Sequence, residues 1–132
     1  MFKKAVFLLI AGALIFGSAI YYYRGCNTIH VTTVEFRFTP DAWTVYAGRP
    51  VKITITNNGY ASHQWILLKH PNPTEQPSED DIEDEAFWEI EVQPGETMTE
   101  TFTAPSEPGD YPVVCSLPGH LERGMEATLV VK

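Results

Sequence analysis

Residues 111–131 read Tyr111-Pro112-Val113-Val114-Cys115-Ser116-Leu117-Pro118-Gly119-His120-Leu121-Glu122-Arg123-Gly124-Met125-Glu126-Ala127-Thr128-Leu129-Val130-Val131. Apolar runs, Tyr111 to Cys115 and Glu126 to Val131, flank a loop punctuated by Pro118-Gly119 and Gly124, so the stretch predicts strand, turn, strand. The pattern repeats upstream. Val31 to Phe38 is rich in β-branched and aromatic residues, alternates through Val34, Phe36 and Phe38, and stops at Pro40. Trp43 to Ala47 is closed by Gly48, and Val51 to Thr56 alternates up to the turn signal Asn57-Asn58-Gly59. His63 to Leu68 places His63 and Trp65 on one face and Gln64 on the other. Trp88 to Val92 and Thr97 to Thr103 complete the set, and His70 to Glu85 is a Pro-rich loop with a short helix near Asp80 to Phe87. Seven or eight short strands separated by Gly and Pro predict an all-β domain over residues 27–132, an antiparallel Greek-key sandwich.

Within that frame, three soft or borderline donors stand close together. Cys115 ends one strand, the Ser116–Gly119 turn presents His120, and Leu121–Gly124 leads to Met125 at the start of the next strand. Thiolate and imidazole bind copper in both oxidation states, and a thioether is a weak ligand suited to Cu(I). Zinc and iron sites make little use of Met, so Met125 points to copper. Taken singly, each has an ordinary reading: a buried thiol, a loop histidine, a core methionine. Three donor types within eleven residues, framed by strands, favour one mononuclear site. A second imidazole completes a His2Cys plane, and His63, which opens a strand after the Asn57–Ser62 turn, is the best candidate. His30 and His70 are expected to face solvent.

The charge and the N-terminus place the domain in a setting. All 17 acidic residues follow Cys26, against six basic ones there (Arg37, Arg49, Lys52, Lys69, Arg123 and Lys132), a surface that repels nucleic acid and attracts basic proteins. Nine carboxylates and no base lie between Glu75 and Glu91; the segment reads equally as a solubilising loop or as a device for steering a basic partner such as a cytochrome. Lys3 and Lys4 precede an uncharged run of 19 residues, Ala5 to Tyr23. As a helix this run reaches about 28 Å, near the hydrocarbon thickness of a bilayer. Residues 1–26 are expected to be a signal anchor that leaves the domain outside the cytoplasmic membrane, in the periplasm or at the cell surface. Cleavage after Gly17-x-Ala19 and acylation at Cys26 are the alternatives. A single Cys26–Cys115 bridge is not excluded by spacing.

Taken together, Phe38-Thr39-Pro40, Val45-Tyr46-Ala47-Gly48, His63 and the run from Tyr111 through Cys115 and His120 to Met125 resemble the cupredoxin family of blue copper proteins, over roughly Val31 to Lys132. The four-residue Cys-to-His interval is similar to that of azurins and auracyanins, and the four-residue His-to-Met interval to that of auracyanins rather than azurins. The resemblance implies equatorial ligands His63, Cys115 and His120, axial Met125, and side chains of Ser116 and Gln64 that tie the ligand loops together. It also implies one-electron transfer by a monomer between redox protein partners, through the edge of His120 ringed by Leu117, Pro118 and Leu121. Enzymes with further copper centres need more than the four histidines present, and a dinuclear copper site needs a second Cys near Cys115. An extracytoplasmic copper carrier or storage protein is the competing class, and a metal-free adhesion domain a remoter one.

Overall fold

A computed structural model describes residues 27–75 and 77–132; the expected signal anchor and Cys26 lie outside the described residues. Among the described residues nine strands form: β1 (Asn27–Val34), β2 (Arg37–Thr39), β3 (Ala42–Val45), β4 (Pro50–Asn57), β5 (His63–Leu68), β6 (Ala86–Val92), β7 (Thr97–Thr103), β8 (Gly109–Val114) and β9 (Glu126–Val131). They build two sheets, in the orders β2-β1-β4-β7 and β3-β9-β8-β5-β6. Among the described residues, no helix is long and apolar enough to cross a membrane.

The all-β sandwich expected from the alternation is present, but its sheets are mixed, not antiparallel. β1 runs parallel to β4, and β3 runs parallel to β9. The reason is chain path. After β2 the chain leaves its sheet to lay β3 on the edge of the other, then returns to β1 in the same direction through β4. Side-chain alternation has period two in either orientation, so it carries no information on direction.

A second correction concerns the first strand. The run through Val34, Phe36 and Phe38 is broken by a two-residue turn, Glu35-Phe36, that folds β2 back on β1 with Val34 opposite Arg37. Phe36 turns the chain with φ 62°. Inward-facing residues are therefore Ile29, Val31 and Thr33 before the turn and Phe38 after it. Period-two spacing happened to continue across a reversal, which made two strands look like one.

Between the sheets lies one core. β1 and β4 contribute Ile29, Val31, Val51, Ile53 and Ile55; the facing sheet contributes Val45, Leu67, Val113, Leu129 and Val131. Trp65 fills its centre, edge-on to Trp43 and Trp88 at 5.8 Å each, and Phe102 stacks on Trp88 at 4.7 Å. β5 is apolar on both faces, because Ile66 and Leu68 point away from this core into a second cluster with Ile82, Val114 and Leu121. Ile82 comes from the acidic insert, which forms a 3-10 turn (Glu79–Asp81) and one turn of helix α1 (Ile82–Glu85) over the outer face of the sheet. The short helix expected near Asp80 to Phe87 is thus present, and it covers apolar surface.

Candidate metal centre

Three loops converge at one end of the sandwich. The first joins β4 to β5. Its scaffold is Asn57, fully buried, whose side-chain amide donates to the carbonyls of Ala61 (2.8 Å) and Val92 (2.9 Å) and whose Oδ1 accepts from Gly59 N–H at 2.8 Å. With every polar atom of Asn57 so engaged, the loop has one shape, and that shape delivers His63 inward as the first residue of β5.

The second loop joins β8 to β9. Cys115 N–H donates to Met125 O at 3.2 Å and Met125 N–H donates to His120 O at 3.0 Å, so the loop is closed by its own backbone. His120 N–H donates to Leu117 O at 2.9 Å, and Gly119 and Gly124 supply the positive φ values, 76° and 86°, that the tight reversals require. Across the loops, Ser116 Oγ donates to Gln64 Oε1 at 2.6 Å, the tie that the resemblance implies. The third is the β1–β2 turn, where Glu35 Oε1 accepts from the backbone N–H groups of Tyr60 and, at 3.1 Å, Ala61.

One donor atom from each of His63, Cys115 and His120 lies within 4.8 Å of the others. Cys115 Sγ is 3.5 Å from His120 Nδ1 and accepts Gln64 N–H at 3.5 Å, and the two imidazole rings are 5.2 Å apart. Met125 and Cys115 are fully buried, His63 is 1% exposed and His120 9%. His30 and His70 are exposed and do not join the cluster. Cys115 carries a free thiol.

The chemistry of this set fits a copper ion. Both ring nitrogens of His63 are buried without a hydrogen-bond partner. A buried polar atom left unpaired costs about 1–3 kcal/mol, and a metal that takes the lone pair removes that cost. Burial pushes the His63 imidazole below its ordinary range, reinforced by His120 and opposed by Glu35, a direction that favours the neutral ring that a metal needs. Burial also pushes the Cys115 thiol up, against the lowering effect of the Gln64 and Leu117 N–H groups. A cation is what such a thiol needs in order to ionise.

Several contributors escaped sequence reading. Glu79, from the acidic insert, accepts Gly119 N–H at 3.1 Å and so braces the loop before His120. Phe36 meets His120 edge-on at 5.1 Å, with the Arg123 guanidinium 4.6 Å from the centre of its ring. Leu121, expected on the rim of His120, instead turns inward to pack in the second cluster with Ile82. Nothing in local spacing announces these contacts, because each joins residues distant in the chain.

Comparisons with known proteins agree with the geometry. Residues 26–132 match the family model of copper binding proteins, plastocyanin/azurin family. Auracyanin-B of Chloroflexus aurantiacus is 29% identical over 133 aligned positions, covering 81% of this chain, which in turn spans 56% of that protein's length. Auracyanin A, described as a "blue" copper protein from the same organism, superposes with a TM-score of 0.65 at 28% identity, over 82% of this chain and 100% of its own. Dithionite-reduced auracyanin from Roseiflexus castenholzii shares the fold with a TM-score of 0.69 at 23% identity, over 80% of this chain and 97% of its own. A matched family model across the whole described domain, over a cluster of two imidazoles and a thiol, shows that this chain belongs to the copper-binding proteins of the plastocyanin/azurin family, with copper as its metal.

Proposed function

We propose that this chain is a mononuclear electron carrier in which His63, Cys115 and His120 would hold copper, with Met125 as a further, weak donor. The observation that carries the reading is the approach of one thiol and two imidazoles within 4.8 Å, all buried, inside loops that are hydrogen-bonded to one another. Bound copper supplies one-electron exchange between Cu(II) and Cu(I), and no substrate bond is made or broken. The protein's residues supply the rest. His63 and His120 offer nitrogen donors, and Cys115 offers a sulfur whose electron density is drawn by Gln64 N–H. The Ser116–Gln64 bond, the Asn57 scaffold and the Glu79 brace fix the donors in one arrangement, so little has to move when the charge changes.

The setting belongs to the same proposal: an extracytoplasmic domain, attached through residues 1–26, that meets a basic redox protein by its acidic surface. The competing carrier or storage reading requires donors that solvent or a partner protein reaches for metal exchange; burial of all four favours electron transfer. Voltammetry of the copper-loaded protein separates the two. A reversible one-electron wave, unchanged on repeated cycling, is expected. Loss of copper on each cycle would mark a transport protein instead.

A further inference from the structure

The β1–β2 turn is a poor choice of residues for a turn. Phe36 holds φ 62°, a region that a bulky side chain rarely adopts and that Gly or Asn enters at less cost. Such a conformation persists where the surroundings over-determine it, and it directs attention to what the side chain does. Here the ring lies edge-on to His120 at 5.1 Å, beneath the Arg123 guanidinium.

Its neighbour Glu35 faces the other imidazole. Glu35 Oε1 stands 3.9 Å from His63 Nε2, too far for a hydrogen bond but at ion-pair range, while it accepts the Tyr60 and Ala61 N–H groups. The approach depends on Gly59. A Cβ there would lie 2.6 Å from Glu35 Oε1 and 2.9 Å from His63 Nε2, so any side chain would force the two apart. With Nε2 on the Glu35 side, Nδ1 is the nitrogen left for the metal.

Two adjacent residues of one turn thus address the two imidazoles separately. We propose that Glu35 and Phe36 are positioning residues for the copper site: Glu35 sets the reduction potential through its charge behind His63, and Phe36 seats and shields His120. This rests on the reading of His63 and His120 as copper ligands. A carboxylate behind a ligating imidazole strengthens it as a donor, and the fixed negative charge favours the more positive Cu(II) state. The effect is to lower the potential. The Arg123 cation lies 4.6 Å from the Phe36 ring, on the His120 side, and acts in the opposite sense.

The test is the reduction potential of Glu35→Gln, which removes the charge and keeps an oxygen for the Tyr60 and Ala61 N–H groups. A rise in potential with the charge-transfer absorption retained is expected; a potential equal to that of the wild type would overturn the assignment. Glu35→Asp, which keeps the charge but withdraws it, is expected to give a smaller rise and serves if the Gln variant does not fold. For Phe36, the Phe36→Gly variant relieves the backbone and deletes the ring. Several-fold faster loss of Cu(I) to a chelator, with unfolding temperature unchanged or raised, supports the shield; an unchanged loss rate refutes it. The ring ¹⁵N resonances of His63 in metal-free wild type and Glu35→Gln give a readout independent of copper. A shift confined to His63 places the carboxylate behind it, and identical spectra remove it from that role. Absence of a copper couple in the wild type would bring down the reading of the site, and the ¹⁵N comparison would still decide the contact.

Discussion

Cys115, His120 and Met125 owe their positions to one short loop, and this is why they could be recognised from spacing alone. Their backbones bond to each other, so the donors converge wherever the two flanking strands pair. His63 needed an additional step, the expectation that a histidine opening a strand after a tight turn faces the same end of the sandwich. Glu35, Phe36 and Gly59 were illegible for the opposite reason: they act on His63 and His120 only after β1 and β4 have been brought side by side. Phe36 was worse than silent, since its spacing from Val34 and Phe38 imitated a strand. At this scale Met125→Leu is a clean probe. The swap nearly conserves volume, so stability should fall by less than about 1.5 kcal/mol in a urea melt. It removes a weak donor to copper, so voltammetry should find a higher potential with the colour kept. A lowered potential would contradict Met125 as a ligand.

The acidic insert shows what an element-level reading misses. From composition, the acidic residues between Glu75 and Glu91 were a solubilising loop or a steering surface, and neither reading gave the part before the expected strand at Trp88 a role in packing. One apolar residue changes that. Ile82 is fully buried against Ile66, Leu68, Val114 and Leu121, and Glu79 reaches the backbone of Gly119. The insert therefore shields the outer face of β5, which begins at His63, and of β8, which ends one residue before Cys115. Ile82, flanked by Glu79, Asp80 and Asp81 on one side and Glu83, Asp84 and Glu85 on the other, gives no periodic signal, so its burial could not be foreseen from sequence. Ile82→Ala should cost about 2–5 kcal/mol in urea unfolding, as expected for a large-to-small change in a closed cluster. A cost below about 0.5 kcal/mol, the range of surface substitutions, would show that the insert is not docked. The strand directions were illegible in a different way: alternation located the strands, β1 and β2 merged into one, but was blind to the parallel pairs β1–β4 and β3–β9.

For the whole molecule, the balance of 17 acidic to nine basic residues and the uncharged run from Ala5 to Tyr23 define how the domain would meet its surroundings. Charge was fully legible, because it needs no fold. If acidic residues steer encounter, the second-order rate of electron transfer with a basic cytochrome should fall steeply as salt rises and the Debye length shrinks below about 10 Å. A rate indifferent to salt would assign the acidic segment to solubility and packing alone. All of this presupposes the copper site, and one measurement bears on that most directly: the visible spectrum of the oxidised, copper-loaded protein. Charge transfer from the Cys115 sulfur to Cu(II) in a His2Cys plane should give an intense band at about 600 nm that disappears in Cys115→Ala. A colourless oxidised protein, or a band that survives in Cys115→Ala, would contradict the account.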